Sequence, residues 1–104
     1  MILQIHPKAE HELKAAARWY EKQSEGLEIE FFATVDAAMA GIETNPDRAT
    51  RLETWRGEGD VRRVALPRFP DLIVDEVIQD VIHIWSIAHS NRKPNNWKSR
   101  RRSE

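Results

Sequence analysis

The sequence predicts an α+β fold in one domain, residues 1–104: an N-terminal strand, a two-helix antiparallel hairpin, and an antiparallel sheet of about three to four strands carrying the hairpin on one face. Apolar residues repeat with helical spacing in the first half of the chain. They alternate with strand spacing in the second half. A polar connector with Gly57 and Gly59 separates the two regimes.

Ile2 to Ile5 is short and apolar and reads as a strand. Pro7 suits a first helical turn, where its missing N–H is not needed. His6 just before it is expected to help open that helix. From Pro7 to about Ser24, Ala9, Leu13, Ala16 and Tyr20 fall on one face. Gly26 interrupts the pattern. Leu27, Phe31, Val35, Ala38 and Ile42 then build a second helical stripe, which Asn45-Pro46 ends. Two amphipathic helices joined by a short turn predict an antiparallel hairpin.

Residues 47–60 read as a connector. Val61 to Leu66 predicts a strand, and Pro67 to Pro70 a turn. Leu72-Ile73-Val74 and Val77-Ile78 form the next strand. Gln79-Asp80 is a tight turn before Val81 to Ala88. In that last strand Val81, His83, Trp85 and Ile87 are expected to oppose Ile82, Ile84, Ser86 and Ala88, so it reads as a central strand covered on both sides. With helices on one face, the other face of the sheet is expected to be partly uncovered, a surface for a partner.

Composition narrows the function classes. The chain has no cysteine, which excludes disulfides and thiolate metal sites and suits a reducing compartment. No apolar run approaches the roughly 20 residues of a membrane span, and no signal-peptide pattern opens the chain, so a cytoplasmic protein with no membrane role is expected. Residues 1–50 carry 5 basic and 9 acidic side chains, residues 51–104 carry 11 and 8. Arg92, Lys93, Lys98, Arg100, Arg101 and Arg102 concentrate positive charge in a segment at about 89–104. Such an end suits nucleic acid or an acidic protein surface, or else is a solvated tail.

No catalytic set stands out. His11-Glu12 begins like a zinc-protease helix, but Ala15 occupies the place of the second histidine. No metal and no cofactor are expected. Ser86, Ser90 and His89 lack a glycine-flanked nucleophile elbow.

The order of short motifs carries further. His6-Pro7 precedes Ala17-Arg18-Trp19-Tyr20-Glu21; Gly26-Leu27 and Phe31 precede Ile42-Glu43-Thr44-Asn45-Pro46. Arg62-Arg63 precedes Arg68-Phe69-Pro70. Ile84-Trp85-Ser86-Ile87-Ala88-His89 leads into Arg92-Lys93-Pro94 and Trp97. Over residues 2–98 this set resembles the RelE/ParE toxin superfamily, nearest its ParE-like, plasmid-stabilisation branch.

The resemblance implies a type II toxin neutralised by a cognate antitoxin, in a toxin–antitoxin hetero-oligomer that meets operator DNA only through the antitoxin. It implies one of two activities. RelE-like members cut messenger RNA on the ribosome; ParE-like members bind DNA gyrase and stall it without being nucleases. Against the nuclease pattern Arg63 matches one basic position, while Ala65, Leu72, Ser90 and Asn96 stand at the other four. A nuclease reading would rest on Arg63, His89 and Arg92. The gyrase-directed reading is favoured, with Arg62, Arg63, Arg68, His89, Arg92, Lys93, Trp97, Lys98 and Arg100 as target-binding residues. Trp97 is expected to anchor the segment, and the basic residues after it to serve the target and not the fold. Asp71 and Asp75 stand where relatives usually carry tyrosine. On an exposed sheet these acids would weaken contact with nucleic acid, which opens a third reading: an attenuated toxin that acts through antitoxin binding and operon autoregulation.

Overall fold

The computed structural model describes residues 2–52, 57–90 and 97–102. Strand β1 (Ile2–Ile5) is followed by α1 (Pro7–Gln23), α2 (Leu27–Thr44) and a 3₁₀ turn at Pro46–Arg48. Then come β2 (Thr50–Arg51), β3 (Val61–Ala65), β4 (Asp71–Ile78), β5 (Val81–His89) and α3 (Lys98–Arg102). The strands form one sheet in the order β1-β5-β4-β3-β2.

The α+β class, the N-terminal strand and the two helices are as the sequence predicts. The sheet is larger and not wholly antiparallel. It has five strands, because β2, two residues inside the polar connector, pairs with β3. β1 runs parallel to β5, Ile2 opposite Val81 and Ile5 opposite Ile84.

The helix boundaries have local causes. The His6 imidazole accepts the Lys8 N–H at 3.1 Å and caps α1, ahead of Pro7. Gly26 turns the chain at φ 88°, a conformation that glycine adopts without a Cβ clash. The Glu21 carboxylate accepts the N–H groups of Gly26 and Glu28, satisfying donors at the start of α2. Those backbone bonds, Glu28 first, hold the Glu21 carboxyl below its ordinary value.

The larger core lies between the hairpin and the sheet. It is built from Ala9, Ala17, Tyr20, Phe31, Val35, Met39 and Ile42 of the helices against Ile73, Ile82, Ile84 and Ile87. Ile87 thus shares a face with Ile82 and Ile84, against the alternation read from the sequence. The cause is a bulge. Val74 pairs with Ser86 but Asp75 pairs with Ile84, so β5 carries one residue more than β4 at Trp85. The extra residue resets the phase, turning Ile87 toward the helices while Trp85 stays on the other side with His83.

That other side is not the open face expected. Leu52, Val61, Val74, Trp85 and Trp97 form a second buried cluster there. Trp97 is fully buried and docks the C-terminal segment on the sheet. The two arginines after it fix α3 in different directions. Arg100 reaches Glu12 of α1 with both terminal nitrogens, each at 2.8 Å, and donates to the Trp85 carbonyl at 2.8 Å. Arg101 reaches Glu76 of β4 at 2.6 and 2.7 Å and the Glu58 carbonyl at 3.0 Å. Gly59 passes so close that an added Cβ would stand 2.1 Å from a Glu76 oxygen. The segment after Trp97 therefore belongs to the fold, contrary to expectation.

Burial of Glu12 sets the expected outcome of breaking this pair. Arg100→Met should lower unfolding free energy by about 3–5 kcal/mol, because it leaves a carboxylate buried without its counter-charge. Adding Glu12→Gln, which keeps an acceptor for the backbone, should recover part of the loss. Trp97→Ala should cost about 3–5 kcal/mol as a fully buried ring. Urea unfolding of the three variants checks the ranking.

Candidate functional site

β1 ends at Ile5, opposite Ile84, so from Trp85 on β5 keeps β4 on one side and has no strand on the other. Side chains partly replace the missing neighbour. Glu12 accepts the Ile87 N–H at 3.1 Å, and Arg100 takes the Trp85 carbonyl. Past these contacts the helix and the strand edge diverge into a groove of about 570 Å³. One wall is His11, Ala15 and Trp19, at four-residue spacing on α1; the other is Ile87, Ala88 and His89. Trp19 is 57% exposed, a large indole at the rim of an otherwise well-packed domain.

Tyr20 and Asp71 close the groove. The Tyr20 hydroxyl donates to the Asp71 carboxylate, and both side chains are buried. Burial first, then this bond to a carboxylate, pushes the phenol well above its ordinary value. The Tyr20 ring also packs on Phe31 and Phe69, each with centroids 4.9 Å away. This aromatic trio locks α1, α2 and the β3–β4 turn, so the groove is a preformed shape.

A second groove, of about 390 Å³, lies at the opposite sheet edge. Ala38, Gly41 and Ile42 of α2 face Ala49, Thr50 and Arg63 across it.

The structure places the predicted site residues as follows. His89 lines the first groove and Arg63 the second. Arg92 and Lys93 lie outside the described residues. Lys98 is exposed on α3. Trp97 is fully buried and cannot touch a target directly; it is a support. Arg100 is likewise withdrawn from a target role, because it is buried against Glu12. Arg62 bonds Asp60 at 2.7 Å and two carbonyls of the connector. Arg68, at φ 69°, pairs with Glu30 of α2. Arg62, Arg68, Arg100 and Arg101 are thus each engaged by a carboxylate of the same fold.

The comparisons fit this geometry. The family model described as the ParE toxin of the type II toxin–antitoxin system parDE matches residues 3–94. The chain belongs to the ParE toxin family. A solved structure titled as a chromosomal ParDE toxin–antitoxin system from P. aeruginosa superposes with a TM-score of 0.74 at 21% identity, covering 86% of this chain and 95% of that one. It shows a shared fold. No curated protein matches the chain.

Within the ParE fold the two acidic departures take a different place from the one expected. Asp71 and Asp75 are both buried, 3% and 1% exposed, so neither presents a carboxylate to a partner. Asp71 serves Tyr20. Asp75 has no hydrogen-bond partner for either oxygen among the described residues. Burial pushes its carboxyl up to about 7, against the opposing pull of Arg62.

Sequence reasoning missed the first groove as a site. The signal was present in His11, Ala15 and Trp19, a stripe at i, i+4 and i+8 beside the core stripe. The Tyr20–Asp71 bond, spanning 51 residues, leaves no local signal.

The pH dependence of stability follows from Asp75. Its folded pKa lies above its ordinary value of 3.8, so the folded chain holds an extra proton between about 4 and 7. Its stabilising effect is full below about 4, declines as pH rises through that window, and stays lost above about 7. Asp75→Asn should remove this decline and make the variant more stable than the parent at pH 8, on the order of 3 kcal/mol. Thermal unfolding across pH 4–8 checks the crossover.

Proposed function

We propose that this ParE-family protein is the toxin of a toxin–antitoxin pair that acts by binding, with DNA gyrase as target and a cognate antitoxin as its inhibitor. The observation that carries the reading is the engagement of the arginines. A nuclease of the RelE kind needs cations gathered on the scissile phosphate. Here Arg62, Arg68, Arg100 and Arg101 are held by Asp60, Glu30, Glu12 and Glu76. Ala65 and Leu72, at two of the nuclease positions, carry no charge at all. Among the described residues no helix is long and apolar enough to cross a membrane, which agrees with a cytoplasmic site of action.

The groove beside α1 suits the antitoxin. An extended or helical segment laid there buries Trp19 and the small faces of Ala15 and Ala16. Ordering of that segment on the toxin raises toxin stability by mass action. Operator DNA is met only through the antitoxin in the resulting hetero-oligomer.

Purified protein should slow gyrase supercoiling of relaxed plasmid, and equimolar antitoxin should reverse the effect. Translated messages should stay intact on induction; site-specific cleavage abolished by Arg63→Ala would replace this reading with the nuclease one. Trp19→Ala should weaken antitoxin binding at least about 30-fold, the loss typical of a central aromatic anchor, while leaving the unfolding midpoint almost unmoved because the ring is exposed. Titration calorimetry and thermal melts separate the two effects.

A further inference from the structure

We propose that Asp75 and Arg62 form a proton-controlled latch on the connector Asp47–Arg51, and through it on the groove beside α2. The two residues are register partners across β3 and β4. On neighbouring strands such partners have Cβ atoms about 5 Å apart. Both lie on the helix side of the sheet, since Val64, two residues from Arg62, and Ile73 and Val77, each two residues from Asp75, share their face and enter the main core. Yet the guanidinium bypasses Asp75. It runs outward to Asp60, at 2.8 Å through Nε and 2.7 Å through Nη2, and to the carbonyls of Asp47 and Ala49 at 3.0 and 2.6 Å.

The geometry describes one of two arrangements open to Arg62. With Asp75 protonated, the carboxyl is neutral and the arginine is left to staple the connector to the sheet. With Asp75 ionised, a bare carboxylate that is 1% exposed and has neither oxygen bonded is strongly unfavourable. Among the described residues the cation that acts on it is Arg62, one strand away. Drawing the guanidinium inward gives up the Asp47 and Ala49 carbonyls, and these are what hold the connector ahead of β2.

The other charges around Asp75 favour the neutral form. Asp60 before β3 and Glu76 beside it on β4 both raise the carboxyl's affinity for a proton, and Arg62 alone opposes them. β5 faces it with Ile84, which has no charge. Tyr20, the titratable group that the hairpin puts into this core, is committed to Asp71. The burial-raised carboxyl, at about 7, puts the exchange near neutrality. Ala49 and Thr50 wall the groove beside α2, so releasing the connector widens it. Proton binding at Asp75 and closure of that groove are then linked reciprocally.

The test uses the full chain labelled with ¹³C and ¹⁵N, between pH 5 and 9. The Asp75 carboxyl carbon should titrate near pH 7. Amide protection factors at Thr50 and Leu52 should fall at least about tenfold through the same midpoint, while those at Ile82 and Tyr20 hold. Asp75→Asn should keep the connector protected at every pH. Arg62→Gln should leave it unprotected at every pH, with no step. Three results overturn the proposal: a carboxyl titrating in the ordinary carboxylate range, protection lost equally over the whole domain, or a step that survives Asp75→Asn.

Discussion

Glu12 and Arg100 meet at the point where three parts of the molecule come together. α1 supplies the carboxylate, α3 the guanidinium, and the edge of β5 beyond β1 a backbone N–H and a carbonyl. Every sheet edge leaves such groups unsatisfied. β5 needs them satisfied inside the domain, because β1 covers only its first half. A charged pair is an expensive way to fill that gap, since both groups are taken out of water. The return is specificity of arrangement. With Glu12 and Arg100 each making more than one bond, α3 can dock in one place and α1 in one register.

The bulge at Trp85 belongs to the same arrangement. Without the extra residue, Ile87 would leave the helix-side core and join Trp85 on the far face. On the far face the Trp85 indole gives Trp97 a surface to pack on and donates to Glu76 at 3.1 Å. Glu76 then has the charge that draws in Arg101, whose pKa the bond raises further. Trp85 and Glu76 thus give the C-terminal segment its anchors on a face expected to be bare.

The helices and most strands were legible because their patterns are local: Leu27, Phe31, Val35 and Ile42 announce a helix by spacing alone, and Gln79-Asp80 announces a hairpin by bracketing. The structure gives both turn residues positive φ, as a tight two-residue hairpin requires. What stayed hidden was non-local. Asp75-Glu76 puts two acids in the middle of β4, and the sequence does not show what receives them. Glu76 is tolerated because Trp85 and Arg101 meet it, and neither partner lies near it in sequence. The parallel pairing of β1 is invisible for the same reason, being set by a hairpin that carries the chain across the sheet. The candidate site was half legible. His89 and Arg63 were singled out and do line grooves, whereas Trp19 was read as part of a motif and not as a surface.

The arginine count of the C-terminal half suggested recognition by charge. The structure spends much of that charge internally, and this changes what kind of contact the described surface is built for. Guanidinium groups paired to carboxylates of their own domain add little to the outward field, because each pair is a short dipole that salt and water screen within about 10 Å. Shape and apolar area remain. The first groove offers an exposed indole, two alanine faces and an imidazole along a rigid helix, fixed from below by the Tyr20–Phe31–Phe69 packing. A partner that fits it gains by removing apolar surface from water, with little entropy lost by a wall that is already ordered. That gain is not screened by salt. A ParE-fold protein built this way holds its C-terminal segment in place with internal ion pairs and leaves an apolar groove open beside α1.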